Sequence, residues 1–204
     1  MAAPEPTERP DTPTDRTESF SDGVFAVAIT LLVLDLGVGT VRRGDLASAL
    51  GREWPHYATF VVSFLTIGII WINHHAMFVR IVRVDRPLVF LNLLLLMTVT
   101  AIPFPTRLLA SYLHEGPDER VAAAVYAGSF LLLSISFSAV NTWSARRALV
   151  SEWFPGEQLR RQVRRGYVGL PVYAAAVGLA FASAVVSLVL CALIAGYYAM
   201  PQRV

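Results

Sequence analysis

The twelve residues from Gly23 to Leu34 contain a single polar side chain, Thr30, and the run closes on Asp35. A helix built from such a run has no polar face to offer water, so it must be buried all round, in protein or in lipid. The turns leading into it are the opposite, with Arg16, Glu18, Ser19, Ser21 and Asp22 close together. At helical spacing Gly23, Val27, Thr30, Leu31 and Leu34 share one face. Asp22, Ala26, Ile29 and Val33 share the adjacent one. That second face begins on a carboxylate, which needs a partner if it is buried.

The rest of the chain repeats the constraint. Hydrophobic residues make up 55% of 204 and charged residues 16%, against ~25% charged in a typical soluble domain. This composition indicates an all-α integral membrane protein. Apolar runs near 19–36, 57–79, 87–113 and 121–143 each approach or exceed the length that crosses a bilayer, which is about 20 residues. Gly37 and Gly39 end the first, a polar loop covers 40–55, and Trp54 and Tyr57 fall where an interfacial aromatic belt belongs. Pro103 and Pro105 are expected to kink or end the third helix early. The stretch 167–200 is long for one span and barely enough for two. Two short helices turning near Phe181–Ala184 are the reading adopted, against one strongly tilted helix, giving six transmembrane helices.

Residues 1–15 are rich in proline and acid and have no basic segment before an apolar core. They read as a disordered N-terminal tail rather than a signal peptide, with 16–204 a single transmembrane domain. All 17 basic residues are arginine. With six spans and a cytoplasmic N-terminus, 12 of them fall on the cytoplasmic side and 5 outside, as the positive-inside rule prefers. Both termini are then cytoplasmic; five spans change the side of Arg203 alone, so the count supports the orientation without deciding the final turn.

A net charge of +2 gives no reason to expect nucleic acid as a partner, and the lone Cys191 rules out an intramolecular disulfide. There is no nucleophile elbow, phosphate loop or dinucleotide fingerprint, so the chain does not read as an enzyme. Adjacent helical residues point ~100° apart, so His74 and His75 cannot ligate one ion from one helix, and no metal is expected. Ser134, Ser136 and Ser138 read as small residues for close helix packing.

Arg16-x-x-x-Phe20-Ser21-Asp22, continuing GVFAVAITLLVLDL, resembles the first-helix signature of prokaryotic relatives of the endolysosomal potassium channel. Trp71-Ile72-Asn73-His74-His75 on the second span is similar to a tryptophan and histidines in those relatives. Val27 where isoleucine is frequent and Asp35 where glutamate is frequent are mild departures. The resemblance implies a homotetramer in the bacterial cell membrane, with self, lipid and monovalent cations as partners. The first helix of each subunit then lines a central pore. It implies a potassium-preferring leak channel with no cofactor beyond the permeant K+ ion, and with side chains in place of a carbonyl filter.

By motif position the resemblance makes Val27, Leu31 and Leu34 an apolar constriction and gate, Thr30 a selectivity layer, and Asp35 the pore mouth. Arg16, Phe20, Ser21 and Asp22 become a structural network with Trp71, His74 and His75, in which Asp22 pairs with Trp71 Nε1 or a second-span histidine. Four leucines around an axis would gate by shedding water, and four hydroxyls would offer weak oxygen ligands to a partly stripped ion. Plainer readings stand beside these. The leucine stripe is ordinary packing, Thr30 bonds the Ala26 carbonyl, Asp35 is a solvated helix end, and Ser19, Ser21 or Asp22 caps the helix. A secondary transporter is the alternative function, although the Pro103 and Pro105 break has no repeat counterpart. A non-conducting assembly subunit using the arginine-rich 146–165 segment is another.

Overall fold

The computed structural model describes residues 13–37, 44–113 and 116–200. Most of the expected tail, Gly39, Arg42, Arg43 and Arg203 lie outside them. Among the described residues the structure is helical apart from short turns and one isolated bridge. Helix α1 runs Pro13–Leu31 and tightens into a 3-10 turn at Leu32–Asp35. A short α2, Leu46–Arg52, sits inside the stretch expected to be loop. Then follow α3 (Trp54–Phe78), α4 (Arg86–Ala101), α5 (Pro103–Tyr112), α6 (Pro117–Arg146), α7 (Gly156–Ala180) and α8 (Ala184–Ala199).

Proline places most of the helix starts. It occupies the first turn of α3, α4, α5 and α6, where its missing N–H costs nothing and its fixed φ suits the helix. Asp85 caps α4, accepting from Leu88 N at 2.9 Å. Inside the third apolar stretch Pro103 has the opposite effect, separating α4 from α5 at Ile102. The last stretch breaks between Ala180 and Ala184, where Ser183 caps α8 by accepting from Val186 N. The first of these two helices is longer than expected. It begins at Gly156 and carries Arg160, Arg161, Arg164 and Arg165 in its opening turns.

Among the described residues four segments are long and apolar enough to cross a membrane: Thr14–Asp35, Trp54–Phe78, Arg86–Tyr112 and Pro117–Arg146. Helix α6, the longest, packs against α4, α5, α7 and α8 and is the post of the bundle, while α1 packs on α3 and α4. The core joins Phe25 and Ala28 of α1 and Leu32 of the 3-10 turn to Ile67, Leu95, Val99, Tyr126 and Phe130. Within it Ser63 Oγ meets Thr106 Oγ1 at 2.8 Å and Tyr126 OH at 3.2 Å. Three helices thereby satisfy their buried hydroxyls on one another.

The serines of α6 serve packing. Ser138 Oγ donates to the Gly166 carbonyl of α7 at 3.1 Å, and a Cβ on Gly169 would stand 2.6 Å from Ser134 Oγ. At the end of α3, Ile81 and Val150 form an antiparallel bridge that ties this end to that of α6.

Candidate functional site

Helix α1 has two sides. Ser21, Phe25, Ala28 and Leu32, at helical spacing, are buried. The opposite face carries Gly23, Val27, Thr30, Leu31 and Leu34, all exposed within the subunit, with Val27 55% and Leu34 74% accessible. This is the face that helical spacing groups together in the sequence.

The buried side is held by hydrogen bonds with a single direction. His74 Nε2 lies 2.9 Å from Asn92 Oδ1, and an amide oxygen only accepts, so that ring nitrogen carries the proton. Asn92 Nδ2 donates to Ser21 Oγ at 2.9 Å, and Ser21 Oγ donates to the Thr17 carbonyl at 2.7 Å. Helices α1, α3 and α4 are linked through this chain, and His74 is clamped between Phe25 and Phe78, its ring centroid 4.5 Å from that of Phe78.

Two further contacts flank the chain. Trp71 Nε1 donates to Asp22 Oδ1 at 2.8 Å, so of the two partners expected for that carboxylate, Trp71 or a second-span histidine, it takes the indole. His75 Nδ1 lies 2.7 Å from Glu18 Oε1, at ion-pair distance but off the hydrogen-bond direction. The neighbouring histidines thus diverge to partners on different helices.

Ser19, Ser21 and Asp22 do not cap α1, which begins at Pro13 and places them well inside it. Arg16 and Phe20 stand apart from the hydrogen-bonded group, on the exposed side of α1. Asn92 and Glu18 belong to it, and the sequence reading assigned neither a role. Asn92 had a legible signal, an amide set in the apolar LVFLNLLLLM run, since a polar side chain at membrane depth requires a partner.

At the other end, the Thr30 hydroxyl donates to the Val27 carbonyl at 2.9 Å, one position short of the Ala26 carbonyl anticipated for it. Its oxygen keeps acceptor capacity on an exposed face. The 3-10 turn that follows, Leu32–Asp35, brings residues three apart into register, which keeps Leu34 on the same side of the helix as Leu31. Asp35 Oδ1 lies 3.8 Å from Arg107 Nη1; the carboxylate is largely buried and the guanidinium exposed. Asp35 therefore ends the helix beside a cation from α5 rather than free in solvent.

The family model for the endosomal/lysosomal potassium channel TMEM175 matches residues 16–103, which contain α1 from Arg16 onward, α3, α4 and the whole hydrogen-bonded group. A potassium channel of Streptomyces collinus is 47% identical over 190 residues, 92% of each chain. The chain belongs to the TMEM175 family. The crystal structure of a lysosomal potassium-selective channel TMEM175 homolog from Chamaesiphon minutus superimposes with a TM-score of 0.83 at 40% identity, covering 91% of this chain and 96% of that one. The endosomal/lysosomal proton channel TMEM175 of Bos taurus is 33% identical over 184 residues, 82% of this chain and 37% of that protein. The one-sided burial of α1 leaves its other face directed away from the rest of the subunit.

Proposed function

We propose that the chain is the subunit of a potassium-preferring cation leak channel in a bacterial cell membrane, four copies surrounding an axis lined by α1. Six helices cross the bilayer in this reading, α7 and α8 adding a hairpin to the four long segments, with both termini cytoplasmic. The observation that carries it is the exposed row Gly23, Val27, Thr30, Leu31 and Leu34 on a helix whose opposite face is fixed by the Ser21–Asn92–His74 chain. A row of this kind needs a second surface, and four copies of the same row supply it.

Val27, Leu31 and Leu34 form the apolar neck, where a narrow hydrophobic bore excludes water until it widens. Thr30 supplies the selectivity layer. With its proton on the Val27 carbonyl, each hydroxyl turns lone pairs outward, and neutral oxygens hold a cation weakly enough to release it. Asp35 lies at the outer mouth and draws cations there, tempered by Arg107. Arg16 and Phe20 lie where a neighbouring subunit meets α1. The hydrogen-bonded group has a structural role, fixing the rotation of α1 so that the row faces the axis.

The deciding experiment is purified protein in a planar bilayer with potassium on one side and sodium on the other. A reversal potential displaced toward potassium, and reduced by Thr30→Ala, is the expected result. A current without ion preference retains the pore and removes the threonine layer. With a pH gradient imposed in addition, a reversal that follows it identifies protons as the carried ion. Absence of current from confirmed tetramers favours a transporter or assembly role.

A further inference from the structure

At the end of the bundle where α3 and α6 finish and α7 begins, a groove open along one side leaves about 80 Å³ of free space between α3, α6, α7 and α8. The lining runs from Thr66 on α3 to Arg80 in the turn just past its end, roughly 21 Å if that turn continues the helical rise of about 1.5 Å per residue. The two ends differ in chemistry. Ile69, Ile70, Phe130, Leu133 and Tyr173 line one, and Arg80, Asn141, Gln162, Arg165 and Tyr198 line the other.

Both arginines are incompletely satisfied. Arg80 is only 8% exposed and donates to Gln162 Oε1 and, at 2.5 Å, to Asn141 Oδ1. Arg165 donates to the carbonyls of Tyr197 and Met200 at 2.8 and 2.9 Å and lies over the rings of Tyr197 and Tyr198. Every one of these oxygens is neutral. Among the described residues no carboxylate comes within ion-pair distance of either guanidinium, and the buried Nε of each has no hydrogen-bond partner. Burial draws Arg80 down to about 10, so it remains a cation at neutral pH. One buried and one half-buried positive charge, each with a spare donor, at the head of an apolar slot call for an oxyanion attached to something apolar.

We propose that this groove binds an anionic phospholipid, its phosphate between Arg80 and Arg165 and the first part of one acyl chain along Ile69, Ile70 and Leu133. The guanidinium fork matches a phosphate, and Arg80 sits just past the last turn of α3, where a headgroup belongs if α3 crosses the bilayer. The roughly 21 Å lining is of the same order as one leaflet, half of the ~30 Å hydrocarbon core plus its headgroup region. The open side lets the rest of the lipid lie in the bilayer. A free phosphate would make no use of the apolar floor. The inference rests on the membrane-spanning reading of the helices and is independent of which ion the protein conducts.

The test is thermal unfolding of the full-length protein in neutral detergent, titrated with dioctanoyl phosphatidylglycerol, dioctanoyl phosphatidylcholine or inorganic phosphate at matched concentrations. We expect the anionic lipid to raise the Tm by several degrees, the zwitterionic lipid to give less than half that shift, and inorganic phosphate to give none. Arg165→Gln, at a half-buried position, should reduce the shift at least threefold, and Arg165→Lys should restore part of it. Arg80→Gln should behave alike and is the harder variant to fold, which is why Arg165 is the primary probe. An anionic-lipid shift absent from wild type, or unchanged in Arg165→Gln, overturns the proposal. An equal shift from inorganic phosphate overturns the lipid as occupant. Conductance is not read, so none of these outcomes bears on channel function.

Discussion

Asn92 is the residue on which α1, α3 and α4 meet, accepting from His74 and donating to Ser21. Replacing it with alanine strands a ring N–H and removes the hydroxyl's donor in a buried site, where an unmet polar group costs about 1–3 kcal/mol. We expect Asn92→Ala to lower the Tm in detergent clearly more than Trp71→Phe, which removes one bond from a half-exposed indole. Asp22→Ala should impair folding or assembly more than it alters ion preference. A well-formed tetramer with changed selectivity would move Asp22 into the conduction path. Arg107 offers an electrostatic test of the mouth. Arg107→Gln removes the exposed cation beside Asp35, so potassium conductance should rise at low ionic strength. The difference should vanish near 1 M salt, where the screening length is about 3 Å.

The elements carry their own consequences. Helix α6 ends in a Schellman arrangement, with Leu149 N bonded to the Ser144 carbonyl at 3.1 Å and Ala148 N to the Ala145 carbonyl at 3.4 Å. The residue that must turn left-handed there is Ala148, at φ 51°, and it is exposed. Its Cβ strain exceeds the extra backbone entropy a glycine would lose, so Ala148→Gly should stabilise the protein by about 0.5–1 kcal/mol, seen as a higher Tm. Gly169 is the contrary case. Tyr198 OH accepts from its N–H at 2.8 Å and donates to the Arg165 carbonyl at 3.0 Å, so a hydroxyl is placed in the α7 ladder just before Pro171. Gly169→Val would push a branched side chain into Ser134 and Tyr198 and should destabilise by about 1–3 kcal/mol. Pro103 made the α4–α5 break legible in advance. Helix α2 was not legible, because seven residues with three polar or charged neighbours read as loop until α3 provides a surface to pack on.

At the scale of the molecule, the subunit is fixed on one side of α1 and open on the other. Light scattering of the detergent-solubilised protein should give a tetramer, and a monodisperse monomer would remove the pore reading. Leu31→Ser should make the neck easier to wet and raise unitary conductance without changing the oligomer. The membrane character, the apolar segments, the break near Phe181 and the exposed row on α1 were all readable from the sequence. Each rests on the length and hydrophobicity of the apolar runs or on the 3.6-residue period, and these act within a few turns of chain. The partners of the polar side chains were a different matter. For Asp22 the resemblance had narrowed the choice to Trp71 or a second-span histidine; that Ser21 takes Asn92, Asp35 lies beside Arg107, and two arginines share a groove without a carboxylate depends on residues 71, 72 and 85 positions apart. Such pairings are set by how helices pack and rotate against one another, and only the tertiary structure decides that.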